Sequence, residues 1–222
     1  MALEFDQELD QLRIGALHMF HTTREAVDNA LRAVHNRDLE LSQEVEDGDG
    51  CIDRLESRLE ALGLRLLALK QPVARDLRAI MGTIRIASNL ERIGDEAVNI
   101  VKRNIILLDL PPTKEIPSLL RLSETCLELF DKVTQAYTNN SFALAQEVRM
   151  AHELTSNLHM QAFRDLTDTM IKEPHAVERI VQVSFITYSL KRICDRFSNI
   201  AESVIFIVEG LDVKHAGVPS KG

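Results

Sequence analysis

Two pairs of carboxylates have the spacing most able to do chemistry in this chain: Asp49 with Asp53, and Glu91 with Asp95. Residues four apart lie on one face of a helix, so each pair presents two oxygen-bearing groups side by side. Brought together from neighbouring helices, the pairs would make a ligand set for a hard or borderline cation. Left apart, they would be solvated surface acids, the commonest fate of charged residues. Glu91 differs from the others in its surroundings. Ile84, Val98 and Ile105 share its heptad row, so it interrupts an apolar line and requires a partner, either Lys/Arg or a metal ion.

Other chemistries find little support. His18 and His21 share a helical face, but no Glu-x-x-His occurs, which weighs against a di-iron carboxylate core. Nothing matches a nucleophile elbow, a P-loop or a dinucleotide fingerprint. Asp47-Gly-Asp-Gly50 resembles the start of a calcium loop, yet the fifth and twelfth positions are Cys51 and Arg58, so a helix is expected there. Arg75, Arg78 and Arg85 would form either a small basic face or an ordinary solvated surface.

The elements that position these residues are duplicated. Leu90-Glu-Arg-Ile-Gly-Asp-Glu-Ala-Val-Asn-Ile100 returns as Leu190-Lys-Arg-Ile-Cys-Asp-Arg-Phe-Ser-Asn-Ile200, offset by 190 − 90 = 100 residues without a gap. Leu, Arg, Ile, Asp, Asn and Ile recur in phase, and Ile86 with Ile186 extends the match. Around these phrases the apolar residues step by four and three, the pattern of a helical packing seam. Phe5, Leu9, Leu12, Ala16, Met19, Ala26, Ala30 and Ala33 mark a first helix. A second carries Leu41, Val45, Gly48, Ile52, Leu55, Leu59, Leu62, Leu66 and Leu69.

Pro72 opens a third helix and Pro174 a sixth, as proline does at a first helical turn. Leu119 to Ala136 and Leu144 to Ala162 supply the fourth and fifth, joined by a capped turn at Asn139-Asn140-Ser141. The pattern predicts an all-α fold of six long antiparallel helices, a tandem duplication of a three-helix bundle. The expected divisions are residues 1–110, residues 116–212 and a loose tail at 213–222, with Asp109 to Pro117 as the boundary.

The bulk composition agrees. The 222 residues are 45% hydrophobic with 9 Gly, 6 Pro and no Trp, which suits long helices better than a β-sandwich. The balance of 26 basic and 34 acidic residues leaves −8, a poor charge for binding nucleic acid. Cys51, Cys126 and Cys194 are too few and too scattered for a disulfide framework or a metal knuckle. The first residues lack the layout of a signal peptide and no apolar stretch is long enough to span a bilayer, so a cytoplasmic protein is expected.

The phrase Leu90-Glu-Arg-Ile-Gly-Asp…Asn-Ile100, preceded by Lys70-Gln-Pro-Val-Ala-Arg-Asp-Leu-Arg78, resembles the PhoU family of phosphate-uptake regulators. The resemblance covers nearly the whole chain and implies a non-enzymatic adaptor. Such an adaptor couples a phosphate ABC transporter subunit to a sensor histidine kinase and represses the starvation response when phosphate is plentiful. It would touch the membrane only through these partners, and a homodimer is expected. The other readings are a metal-binding helical adaptor and an accessory of a low-affinity phosphate permease.

The resemblance also implies multinuclear iron or zinc clusters on Glu/Asp-x-x-x-Asp motifs. Glu91 and Asp95 match that motif, Asp49 and Asp53 match the acidic positions of the second helix, and Asp195 is the surviving acid of the second copy. There Lys191 replaces the first carboxylate, while His152 and Ser156 replace Asp49 and Asp53. A site that gains a lysine and loses three acids holds cations weakly, so at most one good site, in the first half, is expected.

Overall fold

The computed structural model describes residues 2–70, 72–112, 114 and 116–211, and the expected tail at 213–222 lies outside them. Its helices are α1 (Ala2–Asn36), α2 (Leu39–Lys70), α3 (Ala74–Leu108), α4 (Pro117–Thr138), α5 (Phe142–Met150), α6 (His152–Lys172) and α7 (Val177–Glu209). A single 3₁₀ turn, Pro174–Ala176, leads into α7. The described residues contain no strand, and no described helix is long and apolar enough to cross a membrane.

The four-and-three seams become the core. Leu12, Ala16, Met19, Ala30 and Ala33 of α1, and Ile52, Leu55, Leu59 and Leu66 of α2, are buried, as are Ile86, Leu90, Ile93, Ala97 and Ile100 of α3. Gly48 and Leu69 depart from the expected seam, since both are exposed. Elsewhere the α2 seam keeps its seven-residue step through buried Val45, Ile52, Leu59 and Leu66, while beside it Asp49 is half-buried and Asp53 exposed.

Both halves share one continuous core. Phe130 of α4 meets Phe20 of α1 edge-on, with centroids 6.4 Å apart, and Phe197 of α7 at 5.2 Å. The central pair is α3 with α7, running antiparallel. Asn199 Nδ2 donates to Asn89 Oδ1 at 3.3 Å, Arg192 meets Glu96, and Arg103 reaches Gln182. This register centres the pair on residues 94 and 194, equivalent positions of the duplication, so a pseudo-twofold relation passes between the helices. Gly82 sets their separation at one end, because a β-carbon there would lie 2.3 Å from Ile207 Cγ1.

Polar side chains fix the turns. Buried Asn104 of α3 donates through Nδ2 to Ala33 O and Ser42 Oγ, both at 3.0 Å, pinning the α1–α2 turn. Arg37 donates to the carbonyls of Leu107, Leu108 and Leu110 and closes the end of α3. The expected cap at Ser141 is present, accepting from Leu144 N at 3.3 Å.

The fifth seam, expected as one helix, is divided at Ala151 into α5 and α6. Immediately after the break, Thr155 Oγ1 and Ser156 Oγ donate to His152 O at 3.0 and 2.8 Å. Hydroxyls that return to a carbonyl three or four residues back compete with the helical ladder and bend it. At the corresponding turn α2 has Ile52 and Asp53 and runs unbroken.

Candidate cation site and its counterpart

The facing edges of α2 and α3 gather the four predicted acids of the first half. Gly94 makes this possible, since a β-carbon there would lie 2.9 Å from Ile52 Cδ1 and 3.4 Å from Asp49 Oδ1. Burial pushes the Asp49 carboxyl above its ordinary range, and the charges of Asp53 and Asp95 push it further, with Lys102 opposing. Glu91 is raised in the same way, by burial and then by Asp95, Glu56 and Asp53, with Arg92 opposing. Each pair therefore feels the other, and the two act as one negative patch.

Glu56 belongs to this patch and escaped the sequence reading, although its place three residues after Asp53 puts it on the same face. None of these five acids has an ion-pair partner among the described residues, and Lys102 is engaged by Glu46 at 3.4 Å. The partner expected for Glu91 is thus no lysine or arginine at contact distance.

The donor set is carboxylate oxygen throughout, which suits a hard cation. Imidazole and thiolate, the usual ligands of a structural zinc, are missing from the patch. Among the described residues no three His, Cys, Asp or Glu side chains stand close enough to hold one ion. The patch matches a hard cation in chemistry and charge, and its side chains must turn inward to enclose one.

The second half places different groups on the same scaffold. Asp195 is bonded by Lys191 Nζ and lies 3.3 Å from His152 Nε2. His159, which corresponds to Glu56, is held below its ordinary pKa by burial and by Lys191, with Asp195 opposing. Lys191 here does the neutralising that a cation would do in the first half.

Glu96 is a further functional-looking group absent from the sequence reading. It is only 4% exposed, accepts from Asn99 Nδ2 at 3.3 Å, and pairs with Arg192 across the α3–α7 seam. The three arginines considered as one basic face are separated. Arg75 lines a cleft beside Asp10 and Arg13, while Arg78 packs against Gly210, the left-handed cap of α7. Arg85 lies over the Phe206 ring at 4.9 Å.

Comparison with known proteins places this architecture. The PhoU domain family matches residues 16–103 and again residues 119–204, one copy in each half. The chain is 35% identical over 216 residues to the phosphate-specific transport system accessory protein PhoU homolog of Aquifex aeolicus, spanning 97% of this chain and 98% of that one. It is 30% identical to the homolog of the same name from Pseudomonas aeruginosa, spanning 97% and 89%. The crystal structure of PhoU from Pseudomonas aeruginosa superposes with a TM-score of 0.89 at 30% identity, covering 93% of this chain and all of that chain. That of the phosphate transport system regulatory protein PhoU from Streptococcus pneumoniae gives 0.86 at 24% identity, covering 93% and 98%, and supports the fold.

Proposed function

The chain belongs to the PhoU family, and from that premise we propose that it is a non-enzymatic regulator of phosphate uptake. In this reading it couples a phosphate ABC transporter subunit to a sensor histidine kinase and represses the starvation response when phosphate is plentiful. It works in the cytoplasm as a homodimer and reaches the membrane through its partners.

The observation that carries the reading is near-complete alignment with relatives named as accessories of a phosphate-specific transport system. Exposed apolar side chains favour a partner-binding role. Met150, Leu154, Met160, Phe163 and Ile171, on and beside α6, are each at least half exposed. Apolar groups in such numbers on one helical segment suit contact with another protein.

A metal cluster completes the proposal. Iron, or zinc less readily, would be held by Asp49, Asp53, Glu91 and Asp95, with Glu56 adjacent, and would neutralise the charge these residues impose on one another. It would supply structural neutralisation at the surface.

The test is alkaline phosphatase activity in phosphate-rich medium in a strain lacking this chain. Constitutive activity restored by the intact gene is the expected result. Normal repression, with no second copy in the strain, would overturn the kinase-coupled reading and leave a metal-binding adaptor or a permease accessory.

A further inference from the structure

We propose that the cleft between α3 and α7 bounded by Arg85, Arg92 and Arg196 binds a small, multiply charged phosphoanion. The candidates sharing that chemistry are free inorganic phosphate and the polyphosphate chain of a nucleotide. The cleft measures about 440 Å³ and is lined on its two walls by side chains from residues 85–92 and 196–206. Its charge does not depend on which proteins the chain meets, so this binding goes beyond the regulatory reading.

The duplication supplies the comparison that carries the inference. Antiparallel packing of α3 on α7 makes each rung recur at the other end of the pair, with the two helices exchanged. At one end the rung is Glu96 with Arg192, closed by an ion pair at 3.0 Å. At the other end the equivalent positions are Arg196 and Arg92, two like charges facing the same cleft. Among the described residues neither Arg92 nor Arg196 has an ion-pair partner. Burial, followed by the charges of Arg92 and Arg192, lowers the pKa of Arg196, with Glu96 and Asp195 opposing. The same fold thus closes one rung internally and leaves the other demanding an anion.

The rest of the lining agrees with an anionic occupant. The one carboxylate on the cleft wall, Glu202, is met by Arg149 Nε at 3.4 Å, so its charge is already answered. Arg85 is held in place by stacking on Phe206. Asn199 bonded to Asn89 spans the seam beneath. The guanidinium fork matches carboxylate and phosphate alike, but three arginines on one cleft are better answered by a multiply charged phosphate than by a single carboxylate. A long nucleic-acid backbone is disfavoured by the net charge of −8, which repels phosphates beyond the cleft.

Calorimetric titration of the full chain, without divalent metal, with orthophosphate, tripolyphosphate and ATP tests this. At least one of the three should bind, and Arg196→Glu should weaken it at least tenfold, about the loss of one charge-assisted contact. Because Arg196→Glu recreates the closed rung, its unfolding midpoint should not fall. Arg92→Gln provides a second variant should the first misfold. Arg103→Gln, at the opposite end of the seam, should bind normally. Orthophosphate binding would identify free phosphate as the source, whereas binding of tripolyphosphate and ATP alone would identify a polyphosphate chain. No binding by any of the three, or equal binding by Arg196→Glu and Arg92→Gln, would overturn the proposal.

Discussion

Arg192 Nη1 lies 3.0 Å from Glu96 Oε1, joining the two repeats by one charge from each across the α3–α7 seam. The Glu96 side chain is 5% exposed and that of Arg192 46%, so the carboxylate bears most of the desolvation. Removing only the arginine leaves a buried charge whose one hydrogen-bond donor among the described residues is Asn99. Arg192→Gln should therefore cost about 1–3 kcal/mol, while the double change Glu96→Gln with Arg192→Gln should cost less than the sum of its parts. Urea unfolding of the four proteins in this cycle measures the coupling. Strict additivity would show that the contact contributes nothing.

The acidic patch on α2 and α3 predicts an inverted pH dependence. An acid whose folded pKa is raised binds more protons folded than unfolded at intermediate pH, so stability falls as pH rises through that window. For Asp49 and Glu91 the window opens at their ordinary values, 3.8 and 4.5, and extends upward to the raised ones. The destabilisation is fully present above the raised values. Asp49→Asn should raise the unfolding free energy above that window, by on the order of 0.5 kcal/mol per like-charge contact relieved, and flatten this limb of the profile. An unchanged profile would mean that solvent already screens the patch.

Cation binding should relieve the same repulsion. Iron added to the metal-free chain should raise its melting temperature, and equilibrium dialysis should place the metal in the first half. Asp49→Asn combined with Glu91→Gln should abolish uptake, whereas Asp195→Asn should not alter it, because Asp195 is already bonded by Lys191. Retained stoichiometry in the first variant would exclude this patch.

What the sequence revealed and what it hid divide along helix faces. The duplication was legible because Leu90, Ile93 and Ile100 recur in phase with Leu190, Ile193 and Ile200, all six buried. The acid pairs were legible because four-residue spacing reports a shared face within one helix. Glu96 was not, since it turns away from Asp95 toward α7 and only the packing register supplies its partner. Arg196 was hidden for the same reason. The break at Ala151 was hidden because the apolar period runs through Val148, Ala151 and Thr155 without a missed step.

Asn104 makes a separate prediction about the α1–α2 turn. It is 1% exposed, and its amide holds a carbonyl of α1 and the Ser42 hydroxyl of α2 at once. Asn104→Ala should cost about 2–4 kcal/mol, combining lost hydrogen bonds with a small cavity. Hydrogen exchange should show the loss at Arg37 through Ser42 first. A loss spread evenly over the chain would mean the turn is held by the core instead.

The second half can be used to ask what a cation site in this fold requires. His152, Ser156 and Lys191 stand where the first half has Asp49, Asp53 and Glu91, and Asp195 is common to both through Asp95. The His152 and Asp195 side chains are about half exposed, at 56% and 44%, so acids placed there can be solvated while the chain folds. His152→Asp, Ser156→Asp and Lys191→Glu together should recreate the repulsive patch and lower stability without metal. With iron present, the same variant should recover its melting temperature and bind twice the metal per chain of the parent. If stoichiometry stays at the parent value while the first half still binds, carboxylate spacing alone is insufficient. The close approach of α2 at Gly94, which Cys194 replaces in the second copy, would then be the missing requirement.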